Sequence, residues 1–192
     1  DHQVNVKFKD NNLSIKGTGK IQLEKDFDEI DYFISKTDDK VNFDSNIKLS
    51  ELKIKNQKNI QKNIKTFFPE IKETINLKDH QVNVKFKDNN LSIKGTGKIQ
   101  LEKDFDEIDY SISKIDDKIN FDSNNKISEL NIKNQQNIQK NIKTFFPDIK
   151  ETVNLKDHQV NIKFKDNDLS IEGTGKIQLE KDFDEIDYSI SK

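Results

Sequence analysis

The chain has 192 residues, of which 31% are hydrophobic and 35% charged, and its 33 lysines are balanced by 35 acidic residues. It has no arginine and no cysteine, which excludes a disulfide scaffold and a thiolate metal site. We expect no nucleic-acid binding, because proteins with that function carry a basic stripe and contact phosphates and bases through arginine. We expect no signal peptide, and the sequence has no apolar run of the roughly 20 residues that span a bilayer.

The sequence repeats with a period of 78 residues. The pentapeptide Asp-His-Gln-Val-Asn starts at three positions, Asp1, Asp79 and Asp157. We divide the chain into repeat 1 (1–78), repeat 2 (79–156) and a partial repeat 3 (157–192). Since near-identical independent neighbours risk swapping and misassembly, we expect the repeats to extend one continuous sheet rather than to form separate domains. The chain begins with Asp rather than Met, so we expect it to be an interior segment of a longer protein.

Alternation of apolar and polar residues predicts the first two strands of each repeat. Residues 4–8 form the first, and the Asp and Asn residues at 10–12 supply a turn. The second, over about 13–24, has an apolar residue or glycine at every odd position as far as residue 23. Gly17 and Gly19 leave a notch on the apolar side, which we expect to permit a sharp bend.

Two further strands are predicted over residues 30–34 and 41–50, each preceded by an aspartate-rich turn. In the second of these strands the apolar residues keep odd parity as far as Leu49, but the parity changes at Leu52. Because side chains on a strand alternate with a period of two, we expect a bend or bulge at residues 50–51.

The pattern then changes to that of a helix. Apolar residues between 60 and 71 recur at the spacing of one helical face, and Pro69 disfavours continuation of a helix. We predict one short amphipathic helix per full repeat, over residues 57–67 in repeat 1, followed by a final strand that opens at 75–77. The fold class is therefore mainly β: tandem repeats of about five antiparallel meander strands and one helix, forming an extended curved sheet or gutter.

One histidine per repeat lies beside an aspartate: His2, His80 and His158. A metal site needs several ligands that converge within about 2–2.6 Å, and one imidazole per repeat does not supply them. We therefore predict a solvated turn histidine, with no metal.

Acidic residues cluster after the second strand, at Glu24, Asp26, Asp28, Glu29 and Asp31. An oxygen-rich loop raises the alternative of a calcium site. The stretch lacks the glycine turn and the closing bidentate glutamate of an EF-hand loop, so we predict a solvated turn that discourages edge-to-edge pairing.

The segment Lys-Gly-Thr-Gly-Lys at 16–20 superficially resembles a phosphate-binding loop. Such a loop lies between a strand and a helix, whereas these glycines keep the parity of a strand that continues after them. No nucleophile–base–acid arrangement is visible, and nothing selects one carboxylate pair among the 35 acids. We therefore predict no enzyme activity and no cofactor.

The apolar side of the strands needs a partner. Either the sheet folds over itself, with the helix closing a thin sandwich, or it curls into a gutter whose apolar interior contacts lipid. Burial stabilises by roughly 25 cal/mol per Å² with either partner, so energy alone does not decide. The aliphatic and aromatic character of this side, and repeats that extend end to end, favour the gutter.

The predicted groove lining consists of the apolar strand residues of all three repeats. In repeat 1 these are Val4, Val6, Phe8, Leu13, Ile15, Ile21, Leu23, Ile30, Tyr32, Ile34, Val41 and Phe43. In repeats 2 and 3 they are Val82, Val84, Phe86, Leu91, Ile93, Ile99, Leu101, Ile108, Tyr110, Ile112, Ile119, Phe121, Phe164, Leu169, Ile171, Ile177 and Leu179.

Five runs carry a resemblance to a known family: Phe-Phe-Pro-Glu-Ile-Lys from Phe67, Asp-His-Gln-Val-Asn-Val from Asp79, Leu-Ser-Ile-Lys-Gly-Thr-Gly-Lys-Ile from Leu91, Asp-Glu-Ile-Asp-Tyr from Asp106 and Ile-Asn-Phe-Asp from Ile119. Together they resemble the periplasmic repeats of AsmA-like proteins, most nearly the YhdP-type branch from AT-rich alphaproteobacteria. Those proteins resemble bridge-like lipid transporters that carry phospholipid along a β-gutter between two membranes.

The resemblance implies a non-enzymatic lipid-binding and lipid-transfer segment of a larger envelope protein in the periplasm of a Gram-negative bacterium. Its partners would be phospholipid acyl chains, with membrane contact through parts outside this segment. The alternative is a structural tandem repeat, such as a surface stalk or adhesin spacer at the cell surface, in which the same residues pack into closed cores.

Overall fold

The computed structural model describes residues 1–38, 40–55, 72–133, 152–166, 168–179 and 181–191. These residues form one antiparallel sheet of eleven strands, whose order in space is their order in the sequence. The strands are β1 (Gln3–Lys9), β2 (Asn12–Gln22), β3 (Phe27–Thr37), β4 (Lys40–Lys55), β5 (Thr74–Lys87), β6 (Asn90–Gln100), β7 (Asp106–Ile115), β8 (Lys118–Lys133), β9 (Thr152–Lys165), β10 (Asp168–Gln178) and β11 (Asp184–Ser191).

The sheet is open and has a single layer. Among the described residues each strand contacts only its neighbours in the sheet, and β1 and β11 form the two edges. The prediction of a mainly β antiparallel meander is confirmed, but the prediction of a curved sheet or gutter is wrong, because the sheet is uncurled. This described part contains no helix; the helix predicted over residues 57–67 lies outside it.

A tight turn of Asp and Asn connects β1 to β2. Lys9 pairs with Asn12 across the β1–β2 turn, and the two residues between them, Asp10 and Asn11, have φ of 50° and 62°. Asp and Asn tolerate this left-handed conformation better than most residues, and two such residues in sequence give the turn that matches the twist of a hairpin. The turn predicted at residues 10–12 is confirmed.

An irregularity lies where β4 meets β5. The cross-strand pairs include Leu49 with His80 and then Glu51 with Lys78, but omit the position between them. On the other side of β5, the register with β6 shifts between Lys78 and Gln81, and Asp79 there has φ of 53°. The bulge therefore lies in β5, opposite residues 50–51, whereas the pairs of β4 with β5 keep one register on both sides of residue 50. A bend or bulge in β4 itself stays a prediction.

The structure also corrects the predicted number of strands per repeat. Residues 75–77, predicted to open a separate fifth strand, belong to the 14-residue strand β5, which continues through Asp79 into the first strand predicted for repeat 2. The shift of register keeps Leu77 paired with Ile99, while Leu77 also pairs with Leu52 on β4. The apolar residues on both sides of the bulge therefore stay on the same side of the sheet.

One side of the sheet is apolar. Residues directly opposite each other in an antiparallel pair lie on the same face, and the pairs form rows across the strands. One row crosses six strands through Val6, Ile15, Ile34, Phe43, Phe86 and Leu91. We call the side that carries this row the apolar face, and the side that carries Lys16, Thr18 and Lys20 the polar face.

Few apolar side chains of the described residues are fully buried. Those below a tenth of full exposure are Leu49, Leu130, Leu155 and Val160. The first three lie close to the irregular junctions of β4 with β5 and of β8 with β9. Elsewhere the described apolar face is covered only by lateral neighbours within the same sheet, so it remains partly open to solvent.

Candidate functional site: the apolar face

The predicted lining residues that lie in strands share the apolar face. The cross-strand pairs connect them directly, as with Val84 and Ile93 or Phe121 and Phe164. Three members of the predicted set, Leu23, Leu101 and Leu179, lie beyond the ends of β2, β6 and β10 and so extend past the strands. The structure therefore brings the strand members of the set together in one continuous surface.

Exposure of this surface is greatest at its margins. Phe8 on the edge strand β1 is 71% exposed, and Ile119, beside the β7–β8 turn, is 54% exposed. Toward the middle of the sheet the same kind of residue is half-buried, because side chains on both neighbouring strands cover it. With eleven strands at a spacing of about 4.8 Å, the face extends about 50 Å across the strands.

Aromatic rings fill the notches left by the glycines. A Cβ at Gly95 would lie 2.3 Å from Cζ of Tyr110, and one at Gly97 would lie 2.4 Å from Cδ2 of His80. The two rings lie side by side, with centroids 6.1 Å apart. The glycines thus allow a polar ring to sit directly on the backbone. The predicted notch is therefore filled by a ring, and a sharp bend at the glycines stays a prediction.

The prediction of solvated turn histidines is wrong for two of the three. His80 and His158 are 1% and 2% exposed and lie in β5 and β9, whereas His2, close to the edge strand, is exposed. The Nε2–H of His80 donates to the carbonyl oxygen of Lys98 at 2.9 Å. Because a carbonyl oxygen only accepts, this contact assigns the proton to Nε2. The ring belongs to the packing of the sheet.

A tyrosine ring lies beside each of the two buried histidines. The hydroxyl of Tyr188 lies 3.5 Å from Nδ1 of His158, and burial raises the pKa of both Tyr110 and Tyr188. The predicted groove residues Tyr32 and Tyr110 therefore lie on the apolar face and cover Gly17 and Gly95.

Two acidic residues at the start of β3 and β7 anchor the following strand. The carboxylate of Asp28 accepts the N–H of Ser50 at 2.7 Å, and that of Asp106 accepts the N–H of Ser128 at the same distance. Asp28 is 2% exposed and Asp106 4%. The prediction of a solvated acidic turn is therefore wrong for these residues, which satisfy the backbone donor that the bulge leaves outside the ladder.

Glutamates just beyond the ends of β2 and β6 also accept a backbone N–H from a later strand. Glu102, 6% exposed, accepts both the backbone N–H and the side-chain amide of Asn131 at 2.9 Å. Within the described ranges no group of three His, Asp or Glu residues is placed to hold a metal ion. These carboxylates are therefore used in strand-to-strand anchoring.

Ion pairs cross the exposed side of the strands. Lys48 contacts Glu29 at 2.8 Å, and Lys126 contacts Glu107 at 2.7 Å. The hydrogen bond and charge of each lysine lower the pKa of its glutamate, and the glutamate raises the pKa of the lysine. These pairs balance charge on the polar face.

Two lysines interrupt the apolar face at its margin. Lys36 pairs with Val41 and Lys114 with Ile119, next to the turns that follow β3 and β7. Lys36 lies two residues after Ile34 in β3 and has the same parity, which predicts that the two side chains share the apolar face. The apolar face therefore carries lysines at this margin, and it also carries Asp28 and Asp106, which pair directly with Ile21 and Ile99.

In the part of the chain described here, no helix has the length and apolar character needed to cross a membrane. Comparisons with protein families, with curated proteins and with solved structures find no match for this chain. The resemblance to AsmA-like repeats is neither supported nor contradicted by such a match and stays a prediction.

Proposed function

We propose that this chain binds phospholipid acyl chains along the apolar face and serves as a lipid-transfer segment of a larger envelope protein in the periplasm. The observation that supports this most directly is a single-layer sheet whose apolar side chains remain partly exposed in the described residues. Covering such a surface stabilises a complex by roughly 25 cal/mol per Å² of apolar area, and an acyl chain has the matching chemistry.

The arrangement of the face favours movement of lipid over fixed recognition. Its rows of Val, Ile, Leu and Phe cross neighbouring strands without a cluster of charges at the centre. The bulge in β5 where it pairs with β6 maintains this continuity from one repeat to the next, since Leu52, Leu77 and Ile99 stay in one row. Protein residues would supply a surface along which acyl chains slide, and no side chain would form a bond with the lipid.

The alternative is the structural spacer considered above. In that case the apolar face would be covered by protein rather than lipid, and the purified chain would carry no phospholipid. Native mass spectrometry separates the two, because a bound phospholipid adds a discrete mass whereas a spacer gives a clean apo mass.

The decisive variants place a charge on one face or the other. In the first, Ile21→Asp, Ile99→Asp and Ile177→Asp put three carboxylates on the apolar face. The control, Thr18→Asp, Thr96→Asp and Thr174→Asp, puts three on exposed positions of the polar face in the same strands. Far-UV circular dichroism establishes that both variants keep the sheet.

After incubation with phospholipid vesicles and re-purification, we expect phospholipid adducts on the wild type and on the polar-face control. The apolar-face variant should lose them, because burying a carboxylate against an acyl chain is costly. A folded apolar-face variant that retains phospholipid, or a wild type that acquires none, contradicts the proposed function.

A further inference from the structure

One phenylalanine lies on the polar face, in the middle of strand β3. Phe33 is opposite Lys16 on β2 and opposite Asp44 on β4, and it is 43% exposed. The same row continues to Asn5 on one side and to Lys85 on the other, so the ring is the only apolar side chain among these five positions. Because its neighbours are polar and it remains exposed, the ring contributes little to the packing of the sheet.

The other two repeats have serine in place of this ring. Ser111 in β7 lies opposite Lys94 and Asp122, which are the residue types that flank Phe33. Repeat 3 has Ser189 at the equivalent position of β11. Strand β7 thus forms with serine the same pairs that β3 forms with phenylalanine, so the sheet does not require the ring.

The ring forms part of a hollow of about 680 Å³ on the polar face. The hydrogen-bonding side chains of its lining are Lys16, Thr18, Asp31, Asp44 and Asn46. The lysine donates, the carboxylates accept, and threonine and asparagine do both. A corresponding hollow of about 550 Å³ in repeat 3 includes Ser189 in place of the ring. The hollow therefore belongs to the sheet, and the ring is what repeat 1 adds to it.

Hydrogen bonds hold the polar groups on one side of the hollow in place. The Nδ2 amide of Asn83 donates to Oδ1 of Asp44 at 3.1 Å and to Oδ1 of Asn46 at 2.8 Å. The Nζ of Lys85 contacts the other carboxylate oxygen of Asp44 at 3.4 Å. Groups that are already fixed lose less conformational freedom when a ligand binds, so this side of the hollow is preorganised for recognition.

The charges beside the ring favour a neutral ligand. Lys16 and Lys85 carry two positive charges, which cancel the two negative charges of Asp31 and Asp44. A cation on the face of Phe33 would be repelled by Lys16, and an anion would be repelled by the carboxylates. Hydroxyl groups both donate and accept, so a molecule with several of them satisfies the lysine and the carboxylates at once.

We propose that Phe33 and the hollow around it bind a neutral, β-linked pyranose of a glycan chain. The weakly positive C–H groups of one face of the sugar pack on the ring, whose face is negative, and the sugar hydroxyls bond to Asp31, Asp44 and Asn46. A β-linked pyranose with equatorial substituents is flat, which matches the uncurled sheet. The site lies on the polar face, so it does not depend on lipid binding at the apolar face.

The test measures binding of cellotriose, a short chain of β-linked glucose, to the full chain by saturation-transfer difference NMR. The signal comes from sugar protons that lie against the protein, and its titration gives a Kd. We expect saturable binding by the wild type. Phe33→Ser gives repeat 1 the residue of the other repeats and should raise the Kd about tenfold or more, because the contact with the ring is lost.

A pair of double variants tests whether the ring and its polar neighbours act together. Phe33→Ser with Ser111→Phe moves the ring between the lysine and the aspartate of repeat 2, and we expect the affinity of the wild type to return. Phe33→Ser with Ser113→Phe places it on the same face of the same strand, opposite Ser92 and Asn120, and binding should stay weak. Circular dichroism establishes that the variants keep the sheet.

The proposal is overturned if the wild type does not bind cellotriose or if Phe33→Ser binds it as tightly as the wild type. It is also overturned if the ring at residue 111 fails to restore binding, or if the ring at residue 113 restores it equally well. Tighter binding of tetramethylammonium than of cellotriose would identify a cation as the ligand and likewise overturn it. Phospholipid uptake is measured separately, so failure here leaves the proposed lipid function unaffected.

Discussion

Replacing Gly97 by alanine tests directly how the His80 ring packs on the glycine backbone. The new Cβ would lie 2.4–2.8 Å from three atoms of the His80 ring, closer than packed atoms approach. His80 is 1% exposed and donates to the carbonyl of Lys98, so it has no free space into which to move. We therefore expect the ring to lose its hydrogen bond and the packing around it to shift.

The expected magnitude follows from opposing effects. Alanine in place of a strand glycine would by itself stabilise by about 0.5–1 kcal/mol. Overpacking typically costs about 1–3 kcal/mol, and loss of a hydrogen bond about 0.5–1.5 kcal/mol. We expect a net loss of about 1–3 kcal/mol in the free energy of unfolding, measured by urea denaturation with circular dichroism and an unchanged m-value.

Gly19 is a matched control within the same molecule. Its Cβ would also meet a histidine ring, at 2.5 Å from Nδ1 of His2, but His2 is exposed and close to the chain start. Its ring contacts the carbonyl oxygen of Lys20 through Nε2 at 2.8 Å, but at this exposed position water can replace that hydrogen bond when the ring moves. Gly19→Ala should therefore change stability by no more than about 0.5 kcal/mol or stabilise slightly. If Gly97→Ala is as stable as the wild type, or if both variants lose the same amount, the reasoning is refuted.

Two further predictions concern carboxylates. Asp106→Ala removes the acceptor of the Ser128 N–H and should lower the free energy of unfolding by about 1.5–3 kcal/mol. Asp184, its counterpart in β11, is exposed, so Asp184→Ala should change the free energy of unfolding by less than about 0.5 kcal/mol. Equal losses of the two variants in urea denaturation would contradict the anchoring role of Asp106. Lys126 lowers the pKa of Glu107 from its ordinary value of 4.5, so the pair stabilises the fold above that value and the contribution is lost as the pH falls through the lowered pKa. Glu107→Gln should reduce this acid sensitivity, and urea denaturation across the acid range that shows no difference from the wild type would contradict the assignment.

Local patterns were enough to predict the strands and the turns. The alternation in residues 13–22 places apolar groups on one side whatever the tertiary structure, and Asp10 and Asn11 adopt the left-handed turn that their short polar side chains tolerate. The parity change at Leu52 indicated an irregularity near residue 50, and the register shift lies in the neighbouring strand β5, between Lys78 and Gln81.

Contacts between distant residues were not predictable in this way. The burial of His80 depends on the register shift that places it over Gly97, and the burial of Asp106 depends on Ser128, 22 residues further along the chain. Alternation also says nothing about curvature.

Because the chain has no cysteine, single labels measure most directly whether acyl chains lie on the apolar face. Ile93→Cys and Lys94→Cys place a bimane fluorophore at adjacent residues of β6, on opposite faces of the sheet. The chain is then mixed with phospholipid that carries a nitroxide quencher on its acyl chain. We predict strong quenching of the label at residue 93 and little at residue 94. Equal quenching at the two positions, or none at residue 93, would contradict lipid binding on the apolar face.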